Sequence, residues 1–372
     1  YPKASGRAKE DEDYRREALE ATRLLQNGHK GYRAVWRHIM DVSVADLEKN
    51  YESLNVHFDL WKGESDAQAY IPDMIERLKE EGYAHIDEGA LVIDVQLESD
   101  TKEIPPCMIQ KSDGASLYGT TDLATLIQRM EDYDPDQVIY LADKRQDLHF
   151  LQVFRAARKT GIVPEKTKLS FLGFGTMNGK DGKPFKTRDG GVMRLENLIA
   201  EIVDEMRGKI AENRTVAPEE AEATAKMVGM SAIKYGDLSN QASKDYVFDV
   251  ERFTSFEGNT GPYILYTIVR IKSILNKYQA DGRELSGLSI QPAHDENEKA
   301  LMLEVVKYND VIASAYEELA LHKICAYIYD LANAFNRFYH ETKILTEEDE
   351  TKQKGYIALL VLTKRVLEAC ID

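Results

Sequence analysis

Glycines and cations alternate between Phe171 and Arg194, in the sequence FLGFGTMNGKDGKPFKTRDGGVMR. The positive charge comes from Lys180, Lys183, Lys186 and Arg188. A loop with these cations and little side-chain bulk suits a triphosphate, because it can approach phosphates closely and stabilise charge that develops during phosphoryl or nucleotidyl transfer. Composition alone gives equal weight to a solvated surface loop, since Gly- and Lys-rich loops are common on protein surfaces.

A second group of side chains consists of a phenol, a carboxylate and an amide, at Tyr118, Asp122 and Gln146. Together these groups suit a guanidinium, which offers five donors in one plane and keeps its proton. Ordinary helix capping is the alternative, because Asp122 in a first helical turn favours the helix dipole and Gln146 beside Asp147 can do the same. Spacing alone favours capping.

Strands and helices alternate around both groups. The pattern predicts strands at Asp136–Ala142 and Lys168–Phe174, joined by a helix at Gln146–Thr160, and a helix that starts near Thr121 after a strand on each side of the Ser112–Gly114 turn. This order predicts a parallel sheet, in which ligands bind beyond the carboxyl ends of the strands. We therefore expect Tyr118, Gln146 and the Gly175 loop to meet in one crevice.

The rest of the chain provides the scaffold. Helical periodicity marks Lys9–Leu54, with a break at Asn27–Gly28 and with His29 and His38 as cap or surface residues. A hairpin is expected at Tyr83–Val95 around Glu88–Gly89. From Met193 onwards the pattern is helical, which predicts a C-terminal bundle.

Composition limits the class of protein. The chain has 372 residues and a formal charge of −16, which argues against general nucleic-acid binding, but residues 140–200 hold 12 Lys and Arg against 6 Asp and Glu and would attract an anion. No apolar run is long enough for a membrane helix, and the three cysteines lack metal-ligand spacing. We expect a cytoplasmic protein without membrane contact, disulfides or a protein-bound metal.

Four segments together resemble one known family. They are KSDGASLYGTTDLAT, ADKRQDLHF, GFGTMNGKDGKPFKTRDGG and SFEGNTGPYILY. In this order they resemble arginyl-tRNA synthetase of the bacterial type, a class I aminoacyl-tRNA synthetase, over nearly the whole chain. The resemblance implies an α/β plus all-α fold. Residues 1–105 would be a helical and short-strand insertion, 106–205 the second half of a Rossmann-like catalytic domain, and 206–372 a helical-bundle anticodon-binding domain.

The resemblance also implies roles for individual residues. The arginine side chain would be held by Tyr118, Asp122 and Gln146. ATP would be bound by Gly173, Gly175, Met177, Lys180, Thr187 and His149, although packing at the helix start suits His149 equally well. Catalytic cations would be Lys183, Lys186 and Arg188, in a PFKTR form of the Lys-Met-Ser-Lys-Ser loop in which Pro184 replaces the first lysine. Candidates for tRNA contact are Phe338 and Tyr339.

One family signature is missing from the sequence. None of the eight histidines lies in a His-Ile-Gly-His motif, so we expect a fragment that is inactive alone. The parent would be a monomer that condenses L-arginine with ATP, Mg²⁺ being the ATP counter-ion, and transfers the arginyl group to tRNA(Arg). The alternative is a stand-alone tRNA-binding or regulatory paralogue that kept the arginine pocket and lost catalysis.

Overall fold

The computed structural model describes residues 2–184, 193–213 and 216–372. Lys186, Thr187 and Arg188 of the expected phosphate loop therefore lie outside the described residues. The chain divides into two compact units, Tyr1–Asp59 and Leu60–Asp372. Among the described residues, no helix combines the length and the apolar character needed to cross a membrane.

The first unit contains three helices: α1 (Pro2–Glu10), α2 (Glu12–Gln26) and α3 (Lys30–Ser53). The predicted break between α2 and α3 is confirmed, with Gly28 at φ +83°, a value that glycine adopts without strain. His29 is the N-cap of α3, and its Nδ1 accepts from the backbone N–H of Tyr32 at 3.4 Å. The expectation of a capping role for His29 is thus confirmed.

The second unit begins with an α/β part. Its elements are a 3₁₀ helix (Glu64–Tyr70), α4 (Ile71–Glu80), β1 (His85–Asp87), β2 (Ala90–Ile93), β3 (Cys107–Gln110), α5 (Tyr118–Tyr133), β4 (Gln137–Asp143), a 3₁₀ turn (Lys144–Gln146), α6 (Asp147–Lys159) and β5 (Lys168–Phe174).

The hairpin is present as expected, with β1 and β2 antiparallel and Glu88 and Gly89 both at positive φ in the turn. The next strand differs from the prediction. β3 pairs antiparallel with β2 and so belongs to a three-stranded sheet outside the parallel pair, because Cys107 and Ile109 point into the core shared with β2. The expected second strand before α5 is absent among the described residues, and Tyr118 itself opens the helix.

The predicted strand–helix–strand unit is confirmed by β4 and β5. They run parallel, from the pair Gln137–Lys168 to the pair Asp143–Phe174, with α6 as the crossover. The rings of Phe150 on α6 and Phe171 on β5 stack at 5.0 Å, and the crossover is thereby packed on the sheet. This arrangement brings the ends of β4 and β5 to the same edge of the sheet.

The rest of the second unit is mostly helical. Its elements are β6 (Met177–Asn178), α7 (Leu195–Asn213), α8 (Ala221–Leu238), β7 (Tyr246–Val247), α9 (Val250–Phe253), α10 (Gly261–Ala280), α11 (Glu296–Val306), α12 (Tyr308–Glu318), α13 (Leu321–Glu341) and α14 (Glu350–Ile371). The short parallel pair β6–β7 was not foreseen.

The predicted helical bundle has its own core, with Tyr278, Phe335 and Tyr356 at its centre. Phe338 is also fully buried in that core, which corrects the expectation that it contacts tRNA: its ring stabilises the bundle and has no surface to offer a base. Thr260 caps α10, its Oγ1 accepting from the N–H of Tyr263 at 3.2 Å, as expected of the SFEGNTGPYILY segment.

The proposed domain boundaries remain predictions. The core of the α/β part joins Ile93 and Val95 to Cys107 and Ile109 across position 105, and α7 runs through position 205.

Candidate active site

A cleft of about 970 Å³ opens beside the first turns of α5 and α6. We call it the α5–α6 cleft. Tyr118, Asp122 and Gln146 all line it, as does His149. The three residues expected to hold a guanidinium are thus brought together, from α5 and from the turn that follows β4.

The start of α5 is fixed on β3. The hydroxyl of Thr120 is buried; it donates to the carbonyl of Ile109 and accepts from the N–H of Leu117 at 3.0 Å. A side chain at Gly119 would lie 2.8 Å from the carbonyl oxygen of Met108, so only glycine allows this approach. Tyr118 and Asp122 are four residues apart and therefore share one face of the helix.

Asp122 is paired with His149 across the cleft. The distance from Nε2 of His149 to Oδ2 of Asp122 is 2.6 Å, and 29% and 26% of the two side chains are exposed. Among the described residues, nothing donates to the other carboxylate oxygen, Oδ1. His149 was expected to bind ATP or to pack at the helix start, and the structure places it on the carboxylate that was assigned to arginine.

The carboxylate of Asp122 contributes to the raised pKa values of two buried neighbours, Cys107 and Tyr140. Burial and, to a smaller extent, the Asp122 carboxylate raise the pKa of the Cys107 thiol to about 12. Burial also raises the pKa of Tyr140 to about 12; the cation of Arg129, which lies 4.9 Å from the Tyr140 ring, opposes this and Asp122 adds to it.

A second carboxylate in the cleft was missed from the sequence. Glu64 begins the 3₁₀ helix before α4, and its Oε1 accepts from the hydroxyl of Thr121 at 2.7 Å. It lies in the polar stretch WKGESDAQ, where no motif distinguishes it. Only the packing of the 3₁₀ helix on α5 brings it to Thr121 and into the cleft.

The cations of the cleft are largely engaged. Lys62 pairs with Asp132 at 2.7 Å. Arg145 forms two hydrogen bonds to Asp143, Nε to Oδ1 at 2.8 Å and Nη2 to Oδ2 at 2.7 Å, and these lower the pKa of that carboxyl to about 2. The carboxylates of Asp122 and Glu64 thus remain available to an incoming cation.

A second hollow, of about 800 Å³, is lined by Gly173, Gly175 and Met177. Residues from the segments 237–246 and 318–322 complete its lining. The expectation of one crevice is thus not met, because the 3₁₀ turn at Lys144–Gln146 lies against β5. A Cβ at Gly173 would be 2.8 Å from the Cα of Lys144. Gln146 faces the α5–α6 cleft, while Lys144 pairs with Asp245 at 2.8 Å beside the second hollow.

The glycine at 175 has a packing role. Its N–H donates to the carbonyl of Ala242 at 2.8 Å, and a Cβ would lie 2.3 Å from the carbonyl oxygen of Lys244. The neighbouring N–H of Thr176 donates to Asp245 at 2.7 Å. Two amides of this loop are thus occupied by the protein itself.

The loop cations within the described residues lie elsewhere. Lys180 lines a third hollow and pairs with Asp249 at 3.1 Å and with Glu251 at 3.9 Å. Lys183 is exposed, in a turn closed by the N–H of Gly179 donating to the Lys183 carbonyl at 2.8 Å. Neither lysine lines the α5–α6 cleft.

The remaining tRNA candidate, Tyr339, borders a pocket of about 420 Å³ between α10 and α13. The guanidinium of Arg270 lies between two rings, 4.9 Å from the centre of Tyr266 and 5.0 Å from that of Tyr339. In the part of the chain that the structure describes, no group of three or more His, Cys, Asp or Glu is placed to hold a metal ion.

Two family models match the chain in order. The one described as "tRNA synthetases class I (R), catalytic domain" matches residues 1–250, and the one described as "DALR anticodon binding domain" matches residues 264–372. The fold is thus that of a class I aminoacyl-tRNA synthetase catalytic domain followed by a helical anticodon-binding domain, as the sequence predicted. Within that class, the chain belongs to the arginyl-tRNA synthetase family.

Individual relatives belong to the same family. The chain is 67% identical to the arginine–tRNA ligase of Agathobacter rectalis and 54% identical to that of Alkaliphilus oremlandii, over its whole length but over 64% and 63% of theirs. The arginyl-tRNA synthetase of Plasmodium falciparum superposes with a TM-score of 0.83 at 25% identity, covering 97% of this chain and 60% of that one. The Thermus thermophilus enzyme gives 0.81 at 22% identity, over 98% and 67%, and supports the fold.

Proposed function

We propose that the protein carrying this chain is an arginine–tRNA ligase, which activates L-arginine with ATP and transfers the arginyl group to tRNA(Arg). The observation that carries the proposal is the convergence of Tyr118, Asp122 and Gln146 on one cleft. The family membership and the names of the relatives support it. Because the chain spans about 64% of the length of the Agathobacter relative, the proposal concerns the protein at its full natural length.

The cleft accounts for selection of a guanidinium. Oδ1 of Asp122 accepts from one edge of the planar cation and Glu64 offers a second carboxylate, while the Tyr118 hydroxyl and the Gln146 amide oxygen accept further N–H groups. A lysine ammonium lacks this fork of donors. The neutral ureido group of citrulline has a similar shape and no charge, so it leaves the carboxylates unpaired.

ATP is proposed to bind at the edge where β5 ends. The Gly173–Met177 backbone would lie along the adenosine part, and Lys180 and Lys183, with Lys186, Thr187 and Arg188, would contact the phosphates, with Mg²⁺ as the counter-ion of ATP. Lys180 must then leave Asp249 and Glu251. Since 67% of the Lys180 side chain is exposed, the exchange of partners costs little.

The pocket between α10 and α13 is proposed to hold a tRNA base. Stacking on aromatic rings and on guanidinium planes is how proteins bind unpaired bases, and Tyr266, Arg270 and Tyr339 already form such a stack. Of the two residues proposed from the sequence, only Tyr339 remains a candidate.

The test uses the full-length protein. ATP–pyrophosphate exchange should depend on L-arginine, and isothermal titration should give L-arginine a Kd at least about 10³-fold below those of L-citrulline and L-lysine. Equal binding of arginine and citrulline would contradict the assignment of the cleft. Binding of tRNA(Arg) without any exchange would instead favour the non-catalytic paralogue.

The intact protein is further proposed to be a cytoplasmic monomer. Light scattering after gel filtration would check the oligomeric state, and a dimer at micromolar concentration would contradict it.

A further inference from the structure

His149 pairs with Asp122 but makes none of the contacts proposed for arginine. His149 is the third residue of α6, and its ring is held edge-on against Phe150 at 5.1 Å. From there Nε2 reaches Oδ2 of Asp122 at 2.6 Å and leaves Oδ1 to the cleft. The imidazole therefore holds one oxygen of the carboxylate and limits the rotation of the Asp122 side chain.

We infer that His149 is a positioning residue for Asp122, and that its protonation state controls how tightly the cleft binds a guanidinium. The inference rests on the proposed arginine pocket. It assigns to this histidine a role through the carboxylate, without contact to arginine or ATP.

The argument follows from charge. A neutral imidazole with its proton on Nε2 donates to Asp122 and leaves the pair with one negative charge, which matches one guanidinium. An imidazolium makes the pair neutral, so a guanidinium then meets a carboxylate that is already compensated. Arginine binding should therefore expel the proton from His149, and affinity should rise as the pH rises through the range in which imidazole titrates.

The other groups around His149 keep their charge in that range. Within about pH 5.5 to 7.5 the lysines and arginines of the cleft remain cationic and its carboxylates remain anionic. The Cys107 thiol and the Tyr140 phenol, with pKa values of about 12, remain neutral. The charged and titratable groups around His149 are Tyr118, Asp122, Arg129 and Tyr133 on α5, Lys62 and Glu64 beside it, Arg145 in the turn, Asp147 on α6, Cys107 on β3 and Tyr140 on β4. An imidazole is the kind of side chain that changes charge near neutral pH, and His149 is the imidazole that lines the cleft.

Two substitutions separate positioning from protonation. His149→Gln keeps an N–H donor for Asp122 but cannot be protonated, whereas His149→Phe keeps the ring and loses the donor. His38→Gln, at an exposed position on α3, is the matched control. Asp122→Asn is included because it removes the carboxylate on which both proposals depend.

The measurement is isothermal titration of the full-length protein with L-arginine from about pH 5.5 to 7.5, in two buffers of different ionisation enthalpy. For the unsubstituted protein and for His38→Gln, affinity should rise by up to about tenfold per pH unit at the acid end, with release of up to about one proton per arginine. His149→Gln should bind with near-normal affinity at pH 7.5, without the slope and without proton release. His149→Phe should bind on the order of tenfold more weakly at pH 7.5.

An unchanged slope and proton release in His149→Gln, or normal affinity in His149→Phe, would overturn the inference. If Asp122→Asn loses arginine while both His149 variants behave like the unsubstituted protein, the arginine pocket stands and only the role of His149 fails. If the unsubstituted protein does not bind arginine at any pH, the proposed function fails and the inference fails with it.

Discussion

At the scale of single residues, the carboxylate of Asp122 is proposed to pair with the guanidinium of arginine in the α5–α6 cleft. Asp122→Asn keeps the shape of the side chain but removes the negative charge of the carboxylate. We expect L-arginine binding to weaken by about 2 kcal/mol, or roughly 30-fold in Kd, because a charge-assisted hydrogen bond becomes a neutral one. Isothermal titration at pH 7.5 measures this change.

The matched control for this prediction is Asp132→Asn, ten residues further along α5. Asp132 pairs with Lys62 at the surface, with 37% of its side chain exposed, so its loss should change arginine affinity by less than about threefold. ATP affinity should change little in either variant. Comparable losses in both variants would mean that net charge, and not the position of Asp122, determines binding.

The sequence was informative about single residues only where a motif carried them. Tyr118, Asp122 and Gln146 could be proposed because they lie in recognisable segments at the ends of predicted elements. The hydrogen bond between Asp122 and His149 could not, since it depends on how α5 packs beside α6. Glu64 could not either, because it is 57 residues from its partner Thr121.

At the scale of elements, the contact between α10 and α8 gives a prediction about stability. A Cβ on Gly261 would lie 2.2 Å from the carbonyl oxygen of Ser231, a backbone atom on α8 that cannot move aside. Gly261→Ala should therefore destabilise the bundle by about 2 kcal/mol or more. Urea unfolding followed by circular dichroism gives the free energy of unfolding.

A glycine-to-alanine substitution at another position, Gly208, should raise the free energy of unfolding. Gly208 lies inside α7, is exposed, and has no atom within 4 Å of a built Cβ. Gly208→Ala should stabilise by about 0.5–1 kcal/mol, because alanine favours helix more than glycine does. Destabilisation by both substitutions would show that the close approach at Gly261 is not the cause.

Two neighbouring aromatic residues of the bundle differ in burial: Phe338 is buried in the core, and Tyr339 is half-buried at a pocket. Tyr339→Ala should reduce affinity for tRNA(Arg) by about 1–3 kcal/mol, as expected when one base loses a stacking partner, while stability changes much less. Phe338→Ala should instead destabilise the bundle by about 3–5 kcal/mol, because the ring is fully buried. Filter binding and urea unfolding of both variants test the pair, and unchanged tRNA affinity in Tyr339→Ala would remove the pocket from the tRNA interface.

The elements show where periodicity succeeds and where it fails. The strand Lys168–Phe174 was predicted to the residue, because an apolar run bounded by turns is a strong signal. The β6–β7 pair was missed, since two-residue strands depend on a distant partner and carry no period of their own. β3 was assigned to the wrong sheet, because its alternation fits either one and only the β1–β2 hairpin decides which edge it joins.

At the scale of the whole molecule, the net charge of −16 restricts where tRNA can approach. A chain of this net charge repels a polyanion on average, so the proposed tRNA binding would rely on local cations and on stacking. The residues proposed for it, Tyr266, Arg270 and Tyr339, all belong to the second unit. We therefore expect the chain on its own to retain measurable binding to tRNA(Arg), which weakens as salt is raised.

Catalysis by the chain alone should, in contrast, be lost. The sequence contains no His-Ile-Gly-His motif, and in class I synthetases the phosphates are held both by that signature and by the lysine loop. Losing one preorganised donor commonly costs 10²-fold or more in rate, about 3 kcal/mol, and several donors of that signature are missing together. The expected result is no arginine-dependent ATP–pyrophosphate exchange above background, with tRNA(Arg) present and under conditions where filter binding detects the complex. Exchange near the rate of the full-length protein would mean that the lysine loop and the α5–α6 cleft suffice for activation, and that the histidine signature is dispensable in this protein.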